Sequence, residues 1–161
     1  MSRTAVAFSP VMPVISLPMF MAEDIDRFSA AEVRQAICAW VGESRMDMAD
    51  ALVAAGLAMY PDSQDILAMG ALVAEVNQDW AQAQDCLERL VAVQGDAVSA
   101  EVLHHLARVL RCRGAFFHAF IHAEKSILRF PEHSGLIQAH SELAELLESV
   151  PVQVAPEAQV S

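Results

Sequence analysis

Two pairs of histidines have the residue type that could bind a metal ion, and one pair also has a suitable spacing. His118 and His122 lie four positions apart, which places both imidazoles on one face of a helix, as in some zinc sites. No acidic residue completes a His-Glu-x-x-His motif around them. His104 and His105 are adjacent and therefore point apart. We interpret His118 and His122 as a surface pair and predict no metal site.

Cys112 is the second candidate for chemistry, because it lies between Arg111 and Arg113. Neighbouring guanidinium groups favour the reactive thiolate of an exposed cysteine, whereas a buried cysteine acts as a small apolar residue. Neither a Ser/His/Asp order nor a glycine-rich phosphate loop occurs in the sequence. We therefore predict no catalytic residue and no cofactor, and a protein that is not an enzyme.

Composition favours one helical domain. The chain has 161 residues, of which 55% are hydrophobic and only six are glycine. Its formal net charge of -11 repels nucleic acid and anionic membrane surfaces, so we expect neither as a partner. Three cysteines, odd in number and widely spaced, argue against a disulfide framework. We expect a reducing, cytoplasmic location.

The helices that carry these residues repeat at about 34 positions, the period of a helix–turn–helix unit. Ala49 and Ala83 are 34 positions apart, and Ala119 follows 36 later, which places a two-residue insertion around 95–99. A bulky apolar residue precedes each alanine by three positions: Met46, Trp80 and Phe116. We predict an all-α solenoid of three repeats, at about 30–63, 64–97 and 100–133.

Capping residues mark where the helices begin. Ser29 and Glu32 form a capping box, and Ser44 with Asp47 is expected to begin the second helix. We also predict N-caps at Asp79 and Ser99, and turns at Gly95 and Gly114. Two units end in Tyr60-Pro61 and Phe130-Pro131.

A last amphipathic helix, predicted over 135–149, closes the array. Its apolar face is expected to contain Ile137, Leu143, Ala144 and Leu147, and its charged outer face Glu142, Glu145 and Glu148. A stack of helix pairs leaves its final apolar face open, and such a helix covers it.

The two ends of the chain differ from the repeats. Residues 1–29 form an apolar N-terminal arm in which Pro10, Pro13 and Pro18 interrupt the helix that a secretory signal needs. No uninterrupted apolar run reaches the roughly 18 residues of a spanning helix. Residues 150–161 carry Pro151 and Pro156 with little periodicity, and we interpret them as a flexible tail.

Over about residues 30–149 the chain resembles the tetratricopeptide repeat family. The positions that carry the resemblance are the central alanines (Ala49, Ala83, Ala119), the small residues Ala71 and Ala107, the terminal prolines Pro61 and Pro131, and the Gln78-Asp79-Trp80 turn, which looks like the family's Gly-Asp-Tyr. The sequence departs from the family at Ile37, and at Val33, Leu67 and Leu103, which replace the first-helix tryptophan.

The resemblance implies a groove, lined by the first helix of each unit, that holds an extended or helical peptide. Its implied positions are Arg34, Cys38, Ala68, Leu72, Glu75, His104, Arg108 and Arg111. A protein client with an apolar stretch and an acidic end would suit them. The family's carboxylate clamp is absent, because Met69, Glu101 and His105 stand at clamp positions.

In size, charge and architecture the chain also resembles the small acidic chaperones of bacterial type III secretion. The resemblance implies a chaperone that keeps a hydrophobic or self-assembling client soluble in the bacterial cytoplasm before export. The arm segment Pro13-Val-Ile15-Ser-Leu-Pro18 is similar to the Pro-x-Leu-x-x-Pro of their clients, so it could occupy the groove or support a homodimer. The alternatives that remain are a general scaffold or regulatory adaptor, and an arm that is simply disordered.

Overall fold

Seven α-helices and one short 3-10 helix make up residues 28–149, which are the part of the chain that our computed structural model describes. The helices are α1 (Ala30–Gly42), α2 (Met46–Met59), α3 (Gln64–Val76), α4 (Trp80–Gln94), α5 (Ala100–Cys112), α6 (Phe116–Arg129) and α7 (Ser134–Ser149). The 3-10 helix spans Gly95–Ala97. No strand occurs among these residues, and the predicted all-α fold is confirmed.

Consecutive helices pack on one another in the order of the chain, as a helical solenoid requires. α1 pairs with α2, α3 with α4, and α5 with α6, and each pair packs on the next. None of these helices combines the length and the apolar character that a bilayer-spanning helix needs. The predicted arm and tail lie mostly outside the described residues.

The predicted small residues lie where helices cross. Ala49, Ala83 and Ala119 are fully buried. At Gly70 a Cβ atom would lie 3.0 Å from Cys86 Sγ and 3.2 Å from Val53 Cγ1, so a larger residue would require these side chains to shift by a few tenths of an ångström. The bulky residues that precede the alanines are less buried than the alanines, because each is the first residue of its helix and lies at the edge of the stack: Met46, Trp80 and Phe116. Trp80 is only half-buried, and Phe116 is exposed.

Three of the predicted N-caps are confirmed. Ser29 and Glu32 form both hydrogen bonds of the capping box, and the side chains of Asp79 and Ser99 accept from the amides of Gln82 and Val102. The prediction at Ser44 is wrong. α2 begins at Met46 behind Arg45, which makes no side-chain cap and instead binds Asp47 at 3.1 Å.

Ser44 belongs to the turn that ends α1 rather than to the start of α2. It has a positive φ of 58°, and the amide after it, of Arg45, donates to the Trp40 carbonyl. The same turn recurs at Gln78 (φ 59°) and at Gly114 (φ 82°), with the following amides donating to Ala74 and Leu110. The first helix of each of the three units therefore ends in a left-handed turn of the Schellman type.

The insertion predicted around 95–99 coincides with a wider step in the stack. The first helices approach closely from α1 to α3 and from α5 to α7, but less closely from α3 to α5. Here the 3-10 turn lengthens the connection, and the Arg129 guanidinium donates to the carbonyls of Gly95 and Asp96. Two extra residues therefore separate the second and third units.

α7 packs on α5 and α6 with a face that matches the predicted one only in part, because Leu143 is buried as predicted but Ile137 is not. Leu136 and Leu143 are the buried residues, whereas Ile137 is 45% exposed. Glu142 does not lie on a purely outer face, because it binds Arg111 of α5. The helix is rotated relative to the prediction because Leu136 enters the cluster with Val98, Ala100 and Leu103.

Candidate functional site

The predicted groove residues lie on the layer formed by the first helices, α1, α3, α5 and α7, and we call its exposed surface the first-helix face. On α1, Arg34 forms an ion pair with Asp65 of α3 at 3.5 Å. Cys38 is exposed, and its Sγ lies 3.9 Å from Met69 Sδ. Ala68 is half-buried against the core. These residues therefore form one continuous surface from α1 to α3.

The apolar part of the first-helix face lies on the last two turns of α3. Leu72 is 48% exposed, and Val76, four positions later, is 63% exposed. Spacing of four places both side chains on one side of the helix. Val76 was not among the predicted positions, although its register one turn after Leu72 could have indicated it.

Glu75 lies between these two residues in sequence and joins α3 to α5. Its carboxylate binds Arg108 through one oxygen and His105 through the other. The Glu75 side chain is only 11% exposed, whereas that of Arg108 is 45% exposed. His105, which stands at a clamp position of the family, is thus held by a carboxylate of its own chain.

The third unit and α7 enclose a pocket of about 270 Å3 on the same face. Its lining combines three predicted residues with residues of α7: His104, Ala107, Arg108, Arg111, Gly135, Gln138, Ala139, Glu142 and Leu143. The sequence interpretation missed Gln138 and Glu142. The sequence could have indicated both residues, because α7 begins 34 residues after α5 and so continues the layer of first helices.

The charges in this pocket are paired within the chain. Arg111 donates to Glu142, and Gln138 donates to the other oxygen of the same carboxylate at 2.8 Å. The hydrogen bond from Gln138, followed by that from Arg111, lowers the pKa of Glu142. Both predicted arginines that line this pocket, Arg108 and Arg111, therefore already have a carboxylate partner.

His104 is the predicted groove residue with the most histidine-rich surroundings. Its ring lies 5.7 Å from that of His133, in a tilted arrangement. Burial, and then the nearby positive charge of His133, lower the pKa of His104. The neutral imidazole is the favoured form in this pocket.

The other candidates for chemistry lie away from the first-helix face. His118 is exposed on α6, but His122 is half-buried and its Nε2 donates to the Leu103 carbonyl at 3.0 Å, so the surface-pair interpretation is wrong for His122. Cys112 is exposed, and Cys86 is the buried cysteine.

The predicted arm residues, Pro13, Ile15 and Pro18, lie outside the described residues. Their proposed contact with the groove or with a second copy stays a prediction.

The chain is similar to known proteins in structure but matches none of them by sequence. No family model matches the sequence, and no curated protein matches it. Several solved structures do. The second TPR domain of human RPAP3, in complex with an HSP70 peptide, superposes with a TM-score of 0.62 at 13% identity, over 74% of this chain and 98% of that one.

Two further structures agree. MamA from MSR-1 superposes with a TM-score of 0.64 at 20% identity, over 80% of this chain and 75% of its own. The C-terminal TPR-containing domain of a Plasmodium falciparum FK506-binding protein gives 0.59 at 12% identity, over 81% and 95%. The chain therefore has the tetratricopeptide repeat fold.

Proposed function

We propose that the chain is a protein-binding module whose first-helix face holds an apolar or amphipathic segment of a client. The observation that carries the proposal is the pair Leu72 and Val76, which are exposed on that face. Exposed apolar side chains that lie together mark interaction surfaces. The RPAP3 domain, which has the same fold, is in complex with a peptide, and this supports peptide binding here.

The paired charges around Leu72 and Val76 refine the client's chemistry. Glu75 already binds Arg108, and Glu142 already binds Arg111. An acidic end of a client, as the sequence suggested, would have to replace one of these carboxylates. We therefore infer that apolar contacts supply most of the affinity, and that the ion pairs frame the groove.

The finer proposal is a chaperone that covers a hydrophobic or self-assembling subunit of a type III secretion system in the bacterial cytoplasm before export. A subunit that inserts or polymerises exposes apolar surface, and a partner of net charge -11 would keep the complex soluble. The architecture and charge support this proposal. A scaffold or adaptor that joins folded proteins is the alternative.

Co-expression separates these two functions. A translocator subunit that is insoluble alone should be recovered as a soluble complex with a chaperone, whereas an adaptor would leave it insoluble. The Leu72→Glu variant should abolish recovery of the complex, because it places a charge in the apolar contact.

Leu128→Glu is the matched control for Leu72→Glu. Leu128 lies on α6, which is the second helix of the third unit, and it is 82% exposed. Its replacement therefore adds the same charge away from the first-helix face. Equal recovery with both variants would contradict binding at Leu72.

A further inference from the structure

α7 has the position of a first helix whose second helix is missing from the described residues. It begins 34 residues after α5 and packs on α5 and α6. Ile137 is the counterpart of Leu103, 34 positions earlier, and of Leu67 in the unit before. Leu67 and Leu103 are buried against their own second helices, but Ile137 is 45% exposed. The array therefore ends on an apolar position that every complete unit covers.

The uncovered surface is a narrow stripe along α7, made of Ile137, Ala144 and Leu147. Their spacing of seven and three residues places them along one side of the helix. Ala144 and Leu147 are half-buried at the edge of the stripe, and the exposed Ser141 and Glu148 border it. A strip one side chain wide fits an extended segment better than a helix, which needs a broader apolar face.

A second copy of the chain is a poor partner for this stripe. α7 contains Glu142, Glu145 and Glu148, and neither lysine nor arginine. Two α7 helices placed face to face would bring these carboxylates together without a cation between them, and like charges in contact destabilise an interface.

The chain that follows α7 has a pattern that matches the stripe. From Val150 to Val160 every even-numbered position is apolar: Val150, Val152, Val154, Pro156, Ala158 and Val160. Most of the odd positions between them are polar. An extended backbone places alternate side chains on opposite sides, so this segment would present one apolar edge. Pro151 comes two residues after the last residue of α7, and proline is unfavourable in the interior of a helix.

We propose that residues 150–161 turn back at Pro151 and lie along α7, with their even-numbered side chains on the stripe of Ile137, Ala144 and Leu147. The tail would take the place that a second helix has beside α1, α3 and α5. This inference is independent of the proposed function, because the stripe lies on a different side of α7 from the pocket that contains Glu142.

The lengths agree. Leu147 and Ile137 are ten residues apart, which is about 15 Å along a helix. Val152 to Pro156 spans about 13 Å when extended. Val152 would therefore contact Leu147, Val154 would contact Ala144, and Pro156 would reach Ile137.

The test compares two single substitutions in the full-length chain, Val154→Glu and Gln153→Glu. They add the same charge at adjacent positions, on opposite edges of the proposed extended segment. Val154→Glu should shift the Ile137 methyl resonance and make amide exchange in the last three turns of α7 roughly tenfold faster. Gln153→Glu should leave both unchanged.

Two outcomes would overturn the proposal. The first is that both substitutions have equal effects, or that neither has any, since then the even-numbered edge does not contact α7. The second is a Val154→Glu effect that disappears on dilution of the protein, because that would assign the stripe to a second copy. A nuclear Overhauser contact between the Ile137 and Val154 methyls, unchanged on dilution, is the positive result.

Discussion

Glu75 of α3 binds Arg108 of α5 across the step where the first helices stand furthest apart. The two neighbouring steps bring first helices together by close packing, but here a carboxylate bridges the gap and also binds His105. The bridge lies beside the exposed Leu72 and Val76. The charged contact therefore joins α3 and α5 beside the proposed groove, above the buried apolar cluster that the two helices share.

Replacing Glu75 with glutamine should lower the free energy of unfolding by about 1–3 kcal/mol. The substitution removes the charge that both Arg108 and His105 bind, and the Glu75 side chain is only 11% exposed, so solvent compensates poorly. Urea unfolding followed by circular dichroism measures the change.

Asp65→Asn is the control for Glu75→Gln. Asp65 also joins two first helices, through Arg34, but its side chain is 65% exposed and the pair is 3.5 Å long. Its loss should change stability by no more than about 0.5 kcal/mol. Similar losses for the two variants would show that the Glu75 bridge has no special role.

Gln78→Gly should stabilise the protein by roughly 0.5 kcal/mol. Gln78 has a φ of 59°, in the left-handed region that side chains with a Cβ avoid. Glycine removes that strain but loses more backbone entropy on folding, and the net gain is the difference. Thermal unfolding compares the variant with the parent.

Gly114 provides the reciprocal experiment in the third unit. It occupies the equivalent turn with a φ of 82°, and a Cβ there would meet no atom within 4 Å. Gly114→Ala should therefore cost about 0.5–1 kcal/mol, which is the backbone strain minus the folding entropy that alanine saves relative to glycine. A neutral Gly114→Ala would refute the role of the left-handed turn.

Stability should fall as the pH is lowered below about 6.5, in part because of His122. Burial lowers the pKa of His122 below its ordinary value of 6.5, despite the hydrogen bond to the Leu103 carbonyl, which acts the other way. The unfolded chain then binds a proton more readily than the folded chain, so folding is favoured above pH 6.5 and weakened as the pH falls below it.

His122→Gln should flatten this dependence. Glutamine can keep an N–H donor near Leu103 but does not titrate. Unfolding free energies measured between pH 7.5 and 5 should decline less steeply for the variant. A slope equal to that of the parent would mean that other groups cause the decline, with His104 the first to test, because burial lowers its pKa as well.

Deleting residues 1–22 should raise client affinity if the Pro13–Pro18 segment occupies the groove. The arm would compete with the client for the same apolar contacts, and its removal would free them. Titration of the soluble client complex measures the affinity. Unchanged or lower affinity would count against self-occupancy.

The repeat, the helix starts and the small crossing positions follow from the sequence alone. Ala49, Ala83 and Ala119 recur because each crossing of two helices needs a short side chain, and Ser29, Asp79 and Ser99 cap helices through contacts only three residues long. These are local rules, so the order of the residues is sufficient to apply them. The error at Ser44 has the same basis, because the turn after α1 uses backbone hydrogen bonds that any residue type can make.

The contacts between units were decided only by the tertiary structure. The pairing of Glu75 with Arg108 depends on how far α3 stands from α5, and the pairing of Arg111 with Glu142 depends on the rotation of α7. A two-residue insertion at 95–99 and the burial of Leu136 set those quantities, and neither can be converted into a distance by counting residues. Sequence periodicity specifies which face of each helix is apolar, whereas the packing of neighbouring units determines which charges meet and which apolar residues, Val76 and Ile137 among them, remain exposed.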